Sequence, residues 1–343
     1  MSPATVRSVA GDLPAAAIGP ASIHEHLRID LGCWFDPPVD AAGADVAVLR
    51  VGPDTEARVR ANPFAVRDNL VLDSPDLAAA ELALFRAAGG RTIVDLTLPE
   101  IGRDPAGLRS LAERTGVAIV MGTGHYIARA HPPELAARTT EEIAEGMVAD
   151  LTIGTGGVRA GVIGEIGTSD PLDPVEARVL AAACTAQRAT GVALFVHLDP
   201  WGTNGHAILD RVLGAGVPAD RVALCHLDPS LRDPGHIASL AARGAWVCLD
   251  IWGDEDAYGG RGMPTDRARA DAVRRAWVEG WLDRLCIAQD VCTKTQLRAF
   301  GGHGYDHILT GVPALLAAAG LPPEVHARLV AENPARLLCG RAA

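Results

Sequence analysis

Eight short apolar, β-branched runs recur along this 343-residue chain, each followed by an amphipathic stretch, and no other feature narrows the fold as much. The runs are "ASIH" (21–24), "TIVDLT" (92–97), "VAIVMGTG" (117–124), "AGVIGEIG" (160–167), "VALFVHLD" (192–199), "VALCHLD" (222–228), "AWVCLDIWG" (245–253) and "RLCIAQDV" (284–291). Between them lie segments such as "PDLAAAELALFRAAGG" (75–90) and "DPVEARVLAAACTAQRATG" (173–191), several opening with Asp-Pro or Ser-Pro and closing with Gly. These are helix start and stop signals. Strict strand–helix alternation gives right-handed crossovers and a parallel sheet, and eight units predict a (β/α)8 TIM barrel. An open doubly wound sheet is the alternative, but no G-x-G-x-x-G follows the first run, which removes its dinucleotide-binding version. Residues 1–20 are expected to form a short hairpin under the barrel, and 31–74, with Pro37, Pro38, Pro53 and Pro63, a long loop over its mouth. No linker or repeat interrupts the chain, so 1–343 is read as one domain with the barrel at 21–343.

Reactive residues of such barrels sit at the C-terminal ends of strands. The first run ends in His24 and His26, which a strand would present on one side; the fourth carries Glu165, the fifth His197, the sixth His226 and the eighth Asp290. Imidazole and carboxylate together suit Zn2+, Mn2+, Co2+ or Fe2+. Six such groups exceed the needs of one four-coordinate zinc with an open position. They suit a pair of ions roughly 3.5–4 Å apart that share a carboxylate and a hydroxide. The remaining histidines (125, 131, 206, 236, 303, 307 and 326) end no run and are assigned to surfaces or helices.

A net charge of −11 excludes nucleic acid, which needs a basic face. No run of about 18 apolar residues predicts a membrane span, and the N-terminal segment lacks the pattern of a signal peptide. Seven scattered cysteines without C-x-x-C fit a reducing, cytoplasmic setting. The expected partner is a small-molecule substrate, with a homodimer as a possible assembly.

"HEHL", "IVDLTLPEIGRDP", "TGVAIVMGTGHY", "GEIGTS", "VHLDP", "CHLD", "AQDV" and "GHGYDHIL…NPARLL" occur in this order over nearly the whole chain. On these the sequence resembles the phosphotriesterase family of the amidohydrolase superfamily, and its tail resembles the phosphotriesterase-related branch. The resemblance implies a binuclear metallohydrolase, most readily with two Zn2+, in which His24, His26 and Asp290 hold the buried ion and His197 and His226 the more exposed one. Where the founding members bridge the ions with a carboxylated lysine, this chain has Glu165. A metal-bridging hydroxide would attack the substrate, and Asp290 would carry the proton to the leaving group. An N-acyl amide with an anionic group is the expected substrate, ahead of a lactone and then a phosphotriester; a non-catalytic binding protein on the same scaffold is the rival of a different class.

Four residues are expected in substrate binding. Tyr126 follows the third run in "GTGHY", and Trp201 and Trp252 follow the fifth and seventh. All but one of the 31 basic residues are arginine. The exception, Lys294, lies four residues past Asp290 and is expected to meet the substrate's anionic end as a compact point charge. Arg103 is expected to form a structural ion pair.

Overall fold

A computed structural model describes residues 4–37, 45–258 and 260–340. All eight runs are strands: β1 Ala21–Glu25, β2 Thr92–Asp95, β3 Ala118–Thr123, β4 Val162–Gly167, β5 Leu194–His197, β6 Val222–Cys225, β7 Trp246–Leu249 and β8 Leu285–Ile287. They pair in parallel in sequence order. β1 runs one residue past its apolar run and β4 ends with its own, whereas β2, β3 and β5 to β8 stop short of the ends of theirs, where the following residues turn into the mouth instead of continuing the ladder.

The sheet closes between β8 and β1 through side chains as much as backbone. Asp290 N–H donates to the His24 carbonyl at 3.1 Å, and the buried Glu25 carboxylate accepts from the amides of Gln289 (3.1 Å) and Val291 (2.9 Å) and from the Ser22 hydroxyl. The crossover helices include α1 Pro75–Ala87, α2 Pro105–Thr115, α3 Thr140–Thr152, α4 Pro174–Thr190, α5 Gly205–Gly214, α6 Pro234–Ala242 and α7 Asp266–Glu279. Their ends follow the sequence signals. Thr139 and Asp173 build capping boxes, and Gly116, Gly191 and Gly280 close α2, α4 and α7 with positive φ.

One apolar cluster fills the layer between sheet and helices, and a second fills the barrel, with Ile23, Val94, Val120, Val162, Phe195 and Trp246 among its members. Val6, Ile18, Leu337 and Leu338 belong to the inner cluster, so the antiparallel pair Thr5–Ser8 with Gly11–Pro14 and the C-terminal helix close the barrel floor. The segment after β1 folds into short turns and a helix, Glu56–Ala61, and brings Trp34 and Phe64 to the mouth. Part of that segment, Pro38 included, lies outside the described residues.

Candidate metal centre

Strict alternation along β4, with Val162 facing inward, would turn Glu165 outward. The β4–β5 register shifts between Ile163 and Ile166, around Gly164. Gly164 has φ 117°, and a Cβ there would stand 2.3 Å from the Phe195 carbonyl oxygen. Glycine thus permits the irregularity that brings Glu165 into the barrel. His226 (φ 61°) and Asp290 (φ 48°) are the non-glycine residues with positive φ among the described residues. Such conformations cost about 1–3 kcal/mol each and gather at functional sites. Here the bond from His226 N–H to Asp250 Oδ1 (2.8 Å) and that from Asp290 N–H to His24 O hold them.

The structure brings His24, His26, Glu165, His197, His226 and Asp290 together. Glu165 Oε1 lies 3.4 Å from His26 Nε2, and its Oε2 lies 3.3 Å from His24 Nε2, 2.8 Å from His197 Nδ1 and 3.1 Å from His226 Nε2. Asp290 Oδ1 approaches His26 Nε2 at 3.2 Å and His24 Nε2 at 3.6 Å. Two groups, His24–His26–Glu165 and Glu165–His197–His226, each present donor atoms within 4.8 Å of one another and share Glu165. Asp290 alone of the six is appreciably open to the cavity, with 18 % of its side chain exposed.

The remaining ring nitrogens decide whether these residues suit a cation. His24 Nδ1 faces Asp250 Oδ2 at 2.9 Å, and His26 Nδ1 faces Thr97 Oγ1 at 2.9 Å. A proton on His24 Nδ1 leaves the Nε2 lone pair buried, without a hydrogen-bond partner, and aimed at two carboxylates. His226 Nε2 and His197 Nδ1 stand 2.9 Å apart. Lone pairs crowded against carboxylates in a dry site are stabilised by a shared cation, so the donor set fits divalent ions of the imidazole–carboxylate class. Burial opposes ionisation of Glu165, yet His24 and His197 hold its carboxyl well below the ordinary range. Burial likewise disfavours a charged Asp250, and His226 and His24 outweigh it.

Asp250 is the residue the strand-end reading missed. It follows β7, is fully buried, and contacts His24 and His226 from below. The signal resembled the one that identified Asp290, an acid just past the apolar stretch "AWVCL", but Asp250 lies inside the run "AWVCLDIWG" and not at its end. Asp228 Oδ2 in turn accepts from the Asp250 amide at 2.9 Å, and Arg269 Nε donates to Asp228 Oδ1 at 2.6 Å.

Above the six residues lies a cavity of about 70 Å³ walled by Trp34, Phe64, Tyr126, Trp201, Ile251 and Tyr258. At roughly 10–15 Å³ per water-sized sphere it has room for about five. Tyr126 stands edge-on to His197, and its hydroxyl oxygen accepts from Trp34 Nε1 at 3.1 Å. Burial pushes its pKa well up, which keeps the phenol a donor. Trp252 does not reach this cavity. Its amide is tied to the Ala288 carbonyl (3.2 Å), and its ring packs into the core with 1 % exposure. Lys294 does not reach it either, because Thr295 N–H bonds Asn69 Oδ1 (3.0 Å), which turns the lysine toward Asp68, 2.9 Å from its Nζ. Arg103 pairs with Asp150 at 2.7 Å, as a structural ion pair should.

The profile of the Phosphotriesterase family matches residues 4–338. The chain is 32 % identical over 341 residues to the N-acetyltaurine hydrolase of Danio rerio, with 97 % of each sequence covered. It is 31 % identical to a phosphotriesterase-related protein of Nematostella vectensis, covering 97 % of this chain and 98 % of that one. Among solved structures, a resiniferatoxin-binding protein from Rhodobacter sphaeroides superposes with a TM-score of 0.95 at 37 % identity, covering 97 % of this chain and 94 % of that one.

Proposed function

The chain belongs to the phosphotriesterase family, and from that premise we propose that it is a binuclear metal-dependent hydrolase that cleaves the amide bond of an N-acyl compound bearing an anionic group. The observation that carries the reading is the meeting of four imidazoles and two carboxylates at one barrel mouth, with Glu165 in contact with all four rings. Full-length relatives named N-acetyltaurine hydrolase support the choice of amide. Zn2+ is the proposed ion, with Mn2+, Co2+ or Fe2+ as alternatives, and seven free cysteines fit a reducing, cytoplasmic setting. No helix among the described residues is long and apolar enough to cross a membrane.

His24, His26 and Asp290 would hold one ion, His197 and His226 the other, and Glu165 both. When bound, the ions supply a nucleophile by depressing the pKa of water and act as Lewis acid toward a carbonyl oxygen. Asp250 fixes the tautomer of His24 by accepting from Nδ1–H. Tyr126, whose oxygen already accepts from Trp34, has its own proton free to donate to the carbonyl oxygen as negative charge gathers there. Asp290 Oδ1 faces His24 and His26, and Oδ2, which lies 3.8 Å from His226 Nδ1 and so beyond hydrogen-bond reach, is the oxygen placed to take a proton and pass it to the departing nitrogen. That transfer matters more for an amide than for a lactone, whose alkoxide stays tethered. Trp34, Phe64, Trp201 and Tyr258 keep the site dry.

The test is a screen of metal-replete protein against N-acyl amino acids and aminosulfonates, lactones and aryl phosphotriesters. Turnover of N-acyl amides is expected, and turnover of lactones alone would replace the amide reading. A second reading, a binding protein without catalysis, draws on the neighbour named for resiniferatoxin binding. Absence of all turnover in protein that retains its metal would favour it.

A further inference from the structure

Among the described residues no lysine or arginine lines the cavity above the metal residues; its charged lining is Glu165, Asp254, Asp290 and histidine. An anionic group therefore finds no counter-charge there, and a space of about 70 Å³ holds little beyond the acyl group. The rest of the substrate has to extend outward.

Three neighbouring grooves differ in charge. One, around Lys294, is neutralised internally, since Arg67 pairs with Asp30 (2.9 Å) and both Arg50 (2.6 Å) and Lys294 (2.9 Å) with Asp68. A second, past Trp34, sets Arg129 among Asp173, Glu176 and Asp199. The third, of about 570 Å³, shares Trp201 and Met263 with the reaction cavity and so adjoins it. Its charged lining is Arg232, Arg261 and Asp228, and Asp228 is buried against Arg269. Arg261 lies over the Trp201 ring at 5.6 Å, and Arg232 Nη2 is 3.5 Å from the Trp201 carbonyl oxygen. Neither arginine has a carboxylate partner among the described residues, and both are exposed.

The geometry points to a sulfonate- or carboxylate-binding subsite formed by Arg232 and Arg261, with Trp201 as the wall between it and the reaction cavity. This rests on the amide reading above and assigns the substrate's anionic end a place. Guanidinium groups match the planar or trigonal oxygens of such anions with paired N–H donors. In a chain of net charge −11, two uncompensated cations beside the mouth also favour the approach of an anion.

Steady-state kinetics on N-acetyl-aminoethanesulfonate and on its neutral methyl sulfone isostere give an anionic-to-neutral ratio of kcat/KM. Arg232→Gln/Arg261→Gln is expected to lower that ratio at least about tenfold, mainly through KM, and Arg232→Lys/Arg261→Lys to recover part of it. Both side chains are exposed, so thermal unfolding of the variants checks only that the fold is intact. Calorimetric titration with ethanesulfonate, which has no bond to hydrolyse, reads the subsite without turnover. Arginine-dependent ethanesulfonate binding without amide turnover would sink the amide reading and keep the subsite. A ratio unmoved by the double substitution, or ethanesulfonate affinity equal in both proteins, would overturn the subsite and leave the reaction standing.

Discussion

Asp250 shows how much of the centre is held from outside the six ligand-type residues. Its two oxygens meet the His24 ring and the His226 backbone at once. Asp250→Asn keeps the size but weakens both bonds, and should lower metal affinity or activity about 10- to 100-fold, the usual effect of losing such a support. Competition titration with a chromophoric chelator measures it, and an affinity within twofold of wild type would mean that the histidines orient themselves. Lys294 makes the opposite case. Its ammonium is tied to Asp68, which also has Arg50. Lys294→Ala removes a charge-assisted bond to a largely buried carboxylate that keeps Arg50; it should cost about 1–3 kcal/mol of stability and move kcat/KM for an anionic substrate less than twofold. A tenfold loss confined to anionic substrates would return the lysine to the site. Its rarity in an arginine-rich chain was a sequence signal without a structural counterpart. The turn after Thr293, pinned to Asn69, decides where it points, and that contact spans 226 residues.

At the level of elements, the eight strands were legible because parallel strands buried on both faces appear as continuous apolar runs. Capped helix ends were legible for a similarly local reason, since Thr139 and Asp173 bond amides within their own first turn. The irregularity at Gly164 and the seam closed by Glu25 were not, because each depends on a partner outside its own segment, the next strand for Gly164 and residues 289 and 291 for Glu25. Asp150 illustrates a tie between elements with a measurable pH signature. Burial disfavours its charged form, but Arg103 and the Thr123 and Thr155 hydroxyls outweigh it and hold the carboxyl below the ordinary aspartate range. The folded chain therefore binds that proton less readily than the unfolded chain does. The stabilisation is fully present above the unfolded value of about 3.9 and is lost as pH falls through the lower folded one. Thermal unfolding of Asp150→Asn beside wild type should show a gap that is constant from neutral pH to about 5 and narrows below about 4. A gap that widens on acidification would contradict the assignment.

For the whole molecule, the barrel floor is closed by the N-terminal pair and the C-terminal helix, and the open end concentrates acid and imidazole. Packing Glu165, Asp250 and Asp290 around four histidines costs stability unless cations compensate. Chelation should therefore lower the thermal midpoint, and readdition of Zn2+ should restore it; ligand present at about 100 times its Kd contributes about 2.7 kcal/mol. An unchanged midpoint on chelation would mean that the site is stable without ions. The proposed chemistry depends on two ions sharing Glu165, and elemental analysis of metal-replete protein tests this most directly, with Glu165→Gln analysed alongside. About two equivalents of a divalent transition metal per chain are expected in the wild type and a clear loss in the variant; zero or one equivalent under supplementation, or two retained without the Glu165 carboxylate, would contradict it.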